Sequence, residues 1–117
     1  MEHLEDILTL DDEQRAVQEA AHRFAEEVIR PAGIELDRLP AQEVVAPDSP
    51  LRRVLAQASE LGYTRMAVPA ELGGLGLPPL TRFVVQEELS WGNVGVSAAL
   101  FLGATAAGAA FVSGSPE

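Results

Sequence analysis

The spacing of apolar residues predicts a long first helix. Asp11 followed three residues later by Gln14 is the pattern of a capping box, so the helix is expected to begin at Asp11. Apolar residues then recur at three- and four-residue steps, at Val17, Ala20, Ala21, Phe24, Ala25 and Val28. Pro31 is expected to end or kink this helix, and the chain is expected to stay helical to about Arg38.

A second helix is predicted after a loop rich in Pro and polar residues at positions 39–49. Ser49 is a typical N-cap, and Pro50 suits the first helical position because no amide donor is needed there. The apolar stripe of this helix consists of Leu51, Val54, Leu55, Ala58 and Leu61. Gly62 is expected to end the helix.

The segment MAVPAELGGLGL at positions 66–77 predicts an ordered and unusual loop. The chain is expected to be extended from Tyr63 to Val68, and the following proline keeps Val68 out of the helical region. The glycines of the loop permit a positive φ and a close approach of two backbones. Glycine-rich turns before helices also bind phosphate, but this spacing fits neither G-x-G-x-x-G nor a P-loop. A structural turn is therefore favoured over a nucleotide site.

A third helix is predicted from Pro78 to about Ser90 or Trp91. Its apolar side is expected to consist of Leu80, Phe83 and Val84 together with Glu87. After a break at 92–93, a fourth helix is predicted at about 95–113, and its near absence of charge predicts burial on most sides. No alternation of apolar and polar residues is long enough for a sheet. The predicted fold class is all-α, with four to five helices in one domain over residues 1–117.

Charge and hydropathy narrow the partners. Residues 94–112 carry no charge over a length that could cross a bilayer. Most of them are small, and no basic residue flanks them, so a buried core helix is favoured over a single-pass membrane anchor. The net charge of −10 argues against binding to nucleic acid or to an anionic membrane surface. The start MEHLED lacks the basic residues of a targeting peptide, so a cytoplasmic protein is expected.

Few residues indicate chemistry by themselves. The chain has no cysteine, and its two histidines, His3 and His22, are too few and too far apart for a metal site. Adjacent carboxylates such as Glu87 and Glu88 point about 100° apart on a helix, so they do not form an acid–base pair. His22 is expected on a solvated flank of the first helix. Trp91 is expected in the core or at its boundary, with stacking on a flavin or another ligand as the alternative.

Three blocks of sequence follow one another in the order, and at about the spacing, of one enzyme family. They are LDDEQR and RFAEEVIRPA at 10–15 and 23–32, LGY and VPAELGGLG at 61–63 and 68–76, and VQEELSWG at 85–92. An apolar helix and then SGSPE at 113–117 follow the last block. On these residues the chain resembles the N-terminal helical domain of an acyl-CoA dehydrogenase, over nearly its whole length.

The resemblance implies an FAD-dependent oxidoreductase with a helical, a β-barrel-like and a second helical domain. In this family a glutamate removes the α-proton of an acyl thioester while the β-hydride passes to flavin N5. An electron-transferring flavoprotein then reoxidises the flavin. The N-terminal domain supplies one wall of the acyl pocket, mainly from its last long helix. A homo-oligomer, or a partner chain that completes the enzyme, is also implied.

Four residues of the last predicted helix correspond to the pocket wall in that family: Ala98, Phe101, Leu102 and Thr105. They lie three, four and seven residues apart from Ala98, so they share one helix face. The alternative is that this face is ordinary core. Phe101 and Leu102 are bulky, so a pocket built on them is expected to prefer a short or branched acyl group to a long straight one.

The catalytic glutamate, most flavin contacts and the CoA site of the family belong to the β-domain and the C-terminal helical domain. Both are expected to be absent here, so the chain alone is expected to be inactive, either as part of a longer enzyme or beside a completing partner chain. Two other functions remain open: a flavin monooxygenase or oxidase on the same fold, and a non-catalytic helical interaction module. The acyl substrate, its carrier and the electron acceptor are not determined by the sequence.

Overall fold

The computed structural model describes residues 9–114, and the side chains of 103–112 lie outside that description. Over the described part the chain forms five helices and two short 3-10 turns without any strand, which confirms the all-α prediction. Helix α1 consists of three consecutive segments, Asp12–Phe24, Ala25–Ile29 and Arg30–Leu36. The other helices are α2 (Ala41–Val44), α3 (Pro50–Glu60), α4 (Pro79–Gly92) and α5 (Val94–Ser113). The 3-10 turns are Tyr63–Arg65 and Ala70–Leu72.

Helix α1 begins as the sequence predicts. The Asp11 carboxylate accepts a hydrogen bond from the Gln14 backbone amide at 2.7 Å. The Gln14 side-chain oxygen accepts in return from the Asp11 amide at 3.0 Å. This capping box satisfies amide donors that no helical carbonyl can reach.

The disturbance expected at Pro31 takes the form of a π turn inside a continuous helix. Ala25–Ile29 form this turn, and the Arg30 amide donates to the Ala25 carbonyl five residues back. Proline lacks an amide hydrogen, and its ring crowds the carbonyl four residues before it. We attribute the wider turn to that crowding, because π turns insert one extra residue into a helix. The helix ends at Leu36, slightly earlier than predicted.

The middle of the chain contains two differences from the prediction. Residues 39–49 are not all loop, because α2 forms a single helical turn after Pro40, whose φ of −60° and ψ of 153° suit an N-cap. The segment after Gly62 is not extended, because Tyr63–Arg65 closes a 3-10 turn with a 2.9 Å bond from the Arg65 amide to the Gly62 carbonyl. The boundaries of α3 are confirmed. Ser49 caps its start, and Gly62, with a φ of 89°, follows its end.

The hydrophobic core lies between α1, α3, α4, α5 and the first 3-10 turn. The largest fully buried side chains are Ile29, Val85, Leu89, Ser97 and Leu100. Phe24 of α1 and Tyr63 of the 3-10 turn pack with their ring centroids 5.5 Å apart. Every long helix therefore contributes to one continuous core.

Helix α4 buries a different face from the one predicted. Its buried residues are Thr81, Val84, Val85 and Leu89. Of the predicted apolar side only Val84 is buried, and the prediction is wrong for Leu80, Phe83 and Glu87, which are exposed. Helix α1 packs on the buried face, where the Gln14 side-chain nitrogen donates to the Thr81 hydroxyl at 3.3 Å. Because α4 carries apolar residues on two faces, periodicity alone does not select the one that α1 covers.

Helix α5 is less buried than predicted. Val96, Ser97 and Leu100 face the core, whereas Val94 and Leu102 are 72% and 73% exposed. An uncharged helix therefore presents an exposed apolar face, as far as its described side chains extend. In the described part of the chain, no helix has the length and apolarity needed to cross a membrane.

Candidate functional site

Helix α5 starts at a sharp junction with α4. Asn93, the residue between them, is extended, with a φ of −169° and a ψ of 121°. Its side-chain oxygen accepts a hydrogen bond from the Val96 amide at 2.9 Å, and its carbonyl accepts from the Ser97 amide at 3.0 Å. Asn93 is thus the N-cap of α5, and it fixes the residue at which that helix begins.

A pair of hydroxyl groups, one buried and one half-buried, joins α5 to α4. Ser97 is 1% exposed, and its Oγ lies 3.0 Å from the Oγ of Ser90. Val96 and Leu100 enter the core on the same side of the helix. Because a buried hydroxyl that loses its partner costs free energy, this pair and the two apolar anchors fix the rotation of α5 about its axis.

The predicted site residues lie away from that anchored side. Ala98 and Leu102 are exposed, and Phe101 lies at the boundary, half-buried against the core. The side chain of Thr105 lies outside the described residues. The structure therefore brings Ala98 and Leu102 onto one apolar surface with Phe101 at its edge. Such a surface can bind a hydrocarbon chain and exclude water, but it supplies no acid or base.

The glycine loop is closed by its own backbone. The amides of Gly74, Leu75, Gly76 and Leu77 donate to the carbonyls of Pro69, Arg65, Val68 and Met66 at 2.8 to 3.1 Å. Gly73 and Gly76 have φ values of 87° and 59°, which L-residues with a side chain rarely adopt. The loop is a structural turn, as its spacing favours, and these four donors are not available to a phosphate group.

Comparison with known protein families decides the relationship. The sequence model of the acyl-CoA dehydrogenase N-terminal domain matches residues 11–117, which is nearly the whole chain. The chain belongs to the acyl-CoA dehydrogenase family. The resemblance carried by the three sequence blocks is thereby confirmed.

Curated acyl-CoA dehydrogenases agree with this assignment. The chain is 36% identical over 92 residues to the mitochondrial isovaleryl-CoA dehydrogenase of Solanum tuberosum, covering 77% of the chain and 21% of that protein. It is 33% identical over 90 residues to the (2S)-methylsuccinyl-CoA dehydrogenase of Cereibacter sphaeroides, covering 74% of the chain and 15% of that protein. It is 31% identical over 91 residues to the benzylmalonyl-CoA dehydrogenase of Aromatoleum aromaticum, covering 78% of the chain and 22% of that protein. The chain thus spans about a fifth of the length of these relatives. No solved structure gives a significant match.

One polar cluster of this acyl-CoA dehydrogenase domain is not predicted by its sequence. His22 lies on the polar flank of α1 as predicted, with 45% of its side chain exposed, but its Nδ1 also lies 2.8 Å from a carboxylate oxygen of Glu88. The His22 ring also contacts Trp91, with centroids 4.6 Å apart, and the Arg30 guanidinium lies 4.8 Å from the Trp91 ring. No local pattern signals this cluster, because its members come from two helices more than 60 residues apart.

The cluster ties α1 to α4 at the surface. Trp91 is 49% exposed, so of its two predicted places, core or boundary, it takes the boundary. Among the described residues, no group of three or more His, Asp or Glu side chains is arranged to hold a metal ion. The geometry of the cluster is that of a contact between helices, with a cation–π component from Arg30.

Proposed function

We propose that this chain forms the N-terminal helical domain of an FAD-dependent acyl-CoA dehydrogenase and that α5 forms one wall of its acyl pocket. The observation that carries the proposal is the exposed apolar face of α5. Ala98 and Leu102 are accessible on a helix that has no charged residue and is anchored in the core on its opposite side. An anchored apolar surface of this kind suits the hydrocarbon part of an acyl thioester.

The wall residues would act by shape and by excluding water. Phe101 is partly held by the core, so its ring would limit the depth of the pocket next to Leu102. A pocket bounded by two bulky side chains favours a short or branched acyl group, since one methylene changes discrimination by roughly 10- to 200-fold. The three curated relatives are named for branched or substituted acyl groups, which supports the same substrate class for this chain.

The described residues do not fit FAD by themselves. The one glycine-rich turn before a helix uses the amides of 74–77 for its own backbone bonds, and Pro78 and Pro79 offer no further amide donors. We therefore propose that FAD, the catalytic base and the CoA contacts are supplied by polypeptide beyond the described residues. An electron-transferring flavoprotein and a homo-oligomeric or partner-completed assembly belong to the same proposal.

The proposal is tested on the protein isolated from its native host. We expect a flavin absorption spectrum and reduction of an artificial electron acceptor with 3-methylbutanoyl-CoA. A flavoprotein that consumes oxygen without forming an enoyl thioester would favour the oxidase or monooxygenase alternative. A protein without flavin and without turnover would contradict the proposal and favour the interaction module.

A further inference from the structure

Gly33 and Asn93 are in unusually close contact. Gly33 is buried in the last segment of α1, and a Cβ built on it would overlap the Asn93 side-chain nitrogen. The same Cβ would lie only 2.9 Å from the Asn93 Cγ. The Asn93 amide therefore occupies the space that any larger residue at position 33 would need.

Gly92, the residue before Asn93, also packs closely against α1. A Cβ on Gly92 would lie 3.0 Å from the Ala25 Cβ and 3.0 Å from the Ile29 Cγ2, both of which belong to the π turn. The π turn adds one residue to the helix and so rotates the segment that follows it. In that rotated segment Gly33 faces Asn93. Two consecutive residues of the α4–α5 junction thus rest against two consecutive parts of α1.

The contact with Gly33 is made by the same side chain that caps α5. The Asn93 side chain that presses on Gly33 through its nitrogen also caps α5 through its oxygen, 2.9 Å from the Val96 amide. A displacement of Asn93 would therefore move the first turn of α5. Phe101 follows about two turns later on the same helix. A shift of the first turn would tilt the helix and so move Phe101, because a close-packed core resists local compression.

We propose that Gly33 and Asn93 are positioning residues for the acyl-pocket wall, and that their contact sets the acyl-chain selectivity through the direction of α5. This rests on the proposed function for its selectivity part only. Neither residue belongs to the face formed by Ala98 and Leu102, so neither is assigned a contact with substrate.

The first test is the stability of Gly33→Ala. Helix propensity alone predicts that alanine stabilises this interior helical position. The contact with Asn93 predicts the opposite, a fall in Tm of roughly 5–10 °C, as expected for an overpacked site in a small domain. Gly95→Ala is the matched control, because its Cβ would meet only the Asn93 Oδ1, at an ordinary 3.4 Å. Its Tm is expected to be unchanged or slightly raised.

A rescue variant makes the test specific. Asn93→Ser keeps a capping oxygen for α5 but removes the nitrogen that faces Gly33. The Asn93 Cβ, 3.2 Å from the added Cβ, remains in this variant. The double variant Gly33→Ala with Asn93→Ser is therefore expected to recover part of the lost Tm, even if Gly33→Ala alone fails to fold. Emission of Trp91, the one tryptophan in the sequence, should shift in Gly33→Ala and return in the double variant. A Gly33→Ala protein as stable as Gly95→Ala would overturn the proposal.

The second test is selectivity in the flavin-loaded protein from the native host. The ratio of kcat/KM for 3-methylbutanoyl-CoA to that for octanoyl-CoA is expected to change roughly tenfold in Gly33→Ala. It should return in the double variant and stay constant in Gly95→Ala. An unchanged ratio in Gly33→Ala, with wild-type turnover intact, would overturn the positioning role. A wild-type protein that turns over neither thioester would overturn the proposed function instead, and the selectivity role with it.

Discussion

The glycine loop and the α4–α5 junction both bring two chain segments closer than a Cβ allows, but the obstacle differs. At Gly74 of the loop, an added Cβ would overlap the Val68 carbonyl, which is backbone. At Gly33 and Gly92 the nearest obstacles are mainly side chains, of Asn93 and of Ala25 and Ile29. A backbone obstacle cannot be removed by mutation, whereas a side-chain obstacle can. The loop is therefore fixed by its glycines, and the junction can be adjusted by its partners.

The largest effect is expected for Gly74→Ala. The Cβ would overlap the Val68 carbonyl, and the Gly76 amide, which donates to that carbonyl at 2.9 Å, would lose its partner if the carbonyl moved. We expect the free energy of unfolding to fall by about 3 kcal/mol or more. Urea denaturation of the purified protein measures it. If Gly74→Ala lowers the free energy of unfolding only as much as Gly73→Ala does, the overlap with the Val68 carbonyl does not determine the cost.

A smaller effect is expected for Gly92→Ala at the junction. The Ala25 and Ile29 side chains must move by a few tenths of an ångström, so the expected loss is about 1–2 kcal/mol. Combining it with Ala25→Gly removes the Ala25 Cβ and leaves two obstacles, the Ile29 Cγ2 at 3.0 Å and the Ala25 carbonyl oxygen at 3.1 Å. A double-mutant cycle should then give a favourable coupling of about 0.5 kcal/mol or more. Purely additive losses would show that the junction does not adjust through its partners.

Gly73→Ala measures the cost of a positive φ in the loop without the cost of a steric overlap. Nothing lies within 4 Å of a Cβ at this position, but its φ is 87°. The expected loss is therefore only the left-handed penalty, about 1–2 kcal/mol. Gly73→Asn should lose less, because asparagine visits this region more readily. Equal losses for alanine and asparagine in urea denaturation would count against a purely conformational cost.

Tyr63 lies between the glycine loop and α5. Among these predictions, Tyr63→Phe is expected to change stability least near neutral pH. The 3-10 turn that it begins packs on α5, and the Arg65 carbonyl of that turn accepts from the loop amide of Leu75 at 3.1 Å. Burial raises the pKa of the Tyr63 hydroxyl above its ordinary value of 10.0. The unfolded chain then loses its proton first, so the stabilisation is present below pH 10.0 and is lost as pH rises through the folded pKa. Thermal unfolding of Tyr63→Phe should show a weaker alkaline decline than wild type, and an identical decline would refute the assignment.

The same contrast explains what the sequence could predict. Asp11 with Gln14, Ser49 with Pro50, and Gly62 act on neighbouring residues, so the start of α1 and both ends of α3 were predictable. The face of α4 was not, because Phe83 and Val85 are both apolar and only the partner helix selects Val85. The contact of Gly33 with Asn93 and that of His22 with Glu88 join residues at least 60 positions apart. Spacing carries no signal for such contacts, and the same applies to the depth of a pocket wall on α5.

The central claim is that α5 forms the acyl-pocket wall and that Phe101 limits its depth. The most direct test compares Phe101→Ala with wild type in the flavin-loaded protein, using kcat/KM for 3-methylbutanoyl-CoA and for octanoyl-CoA. Val45→Ala, an exposed apolar site next to α2, is the control. We expect a shift of roughly tenfold toward the long thioester in Phe101→Ala alone. Retained turnover with an unchanged ratio would contradict it.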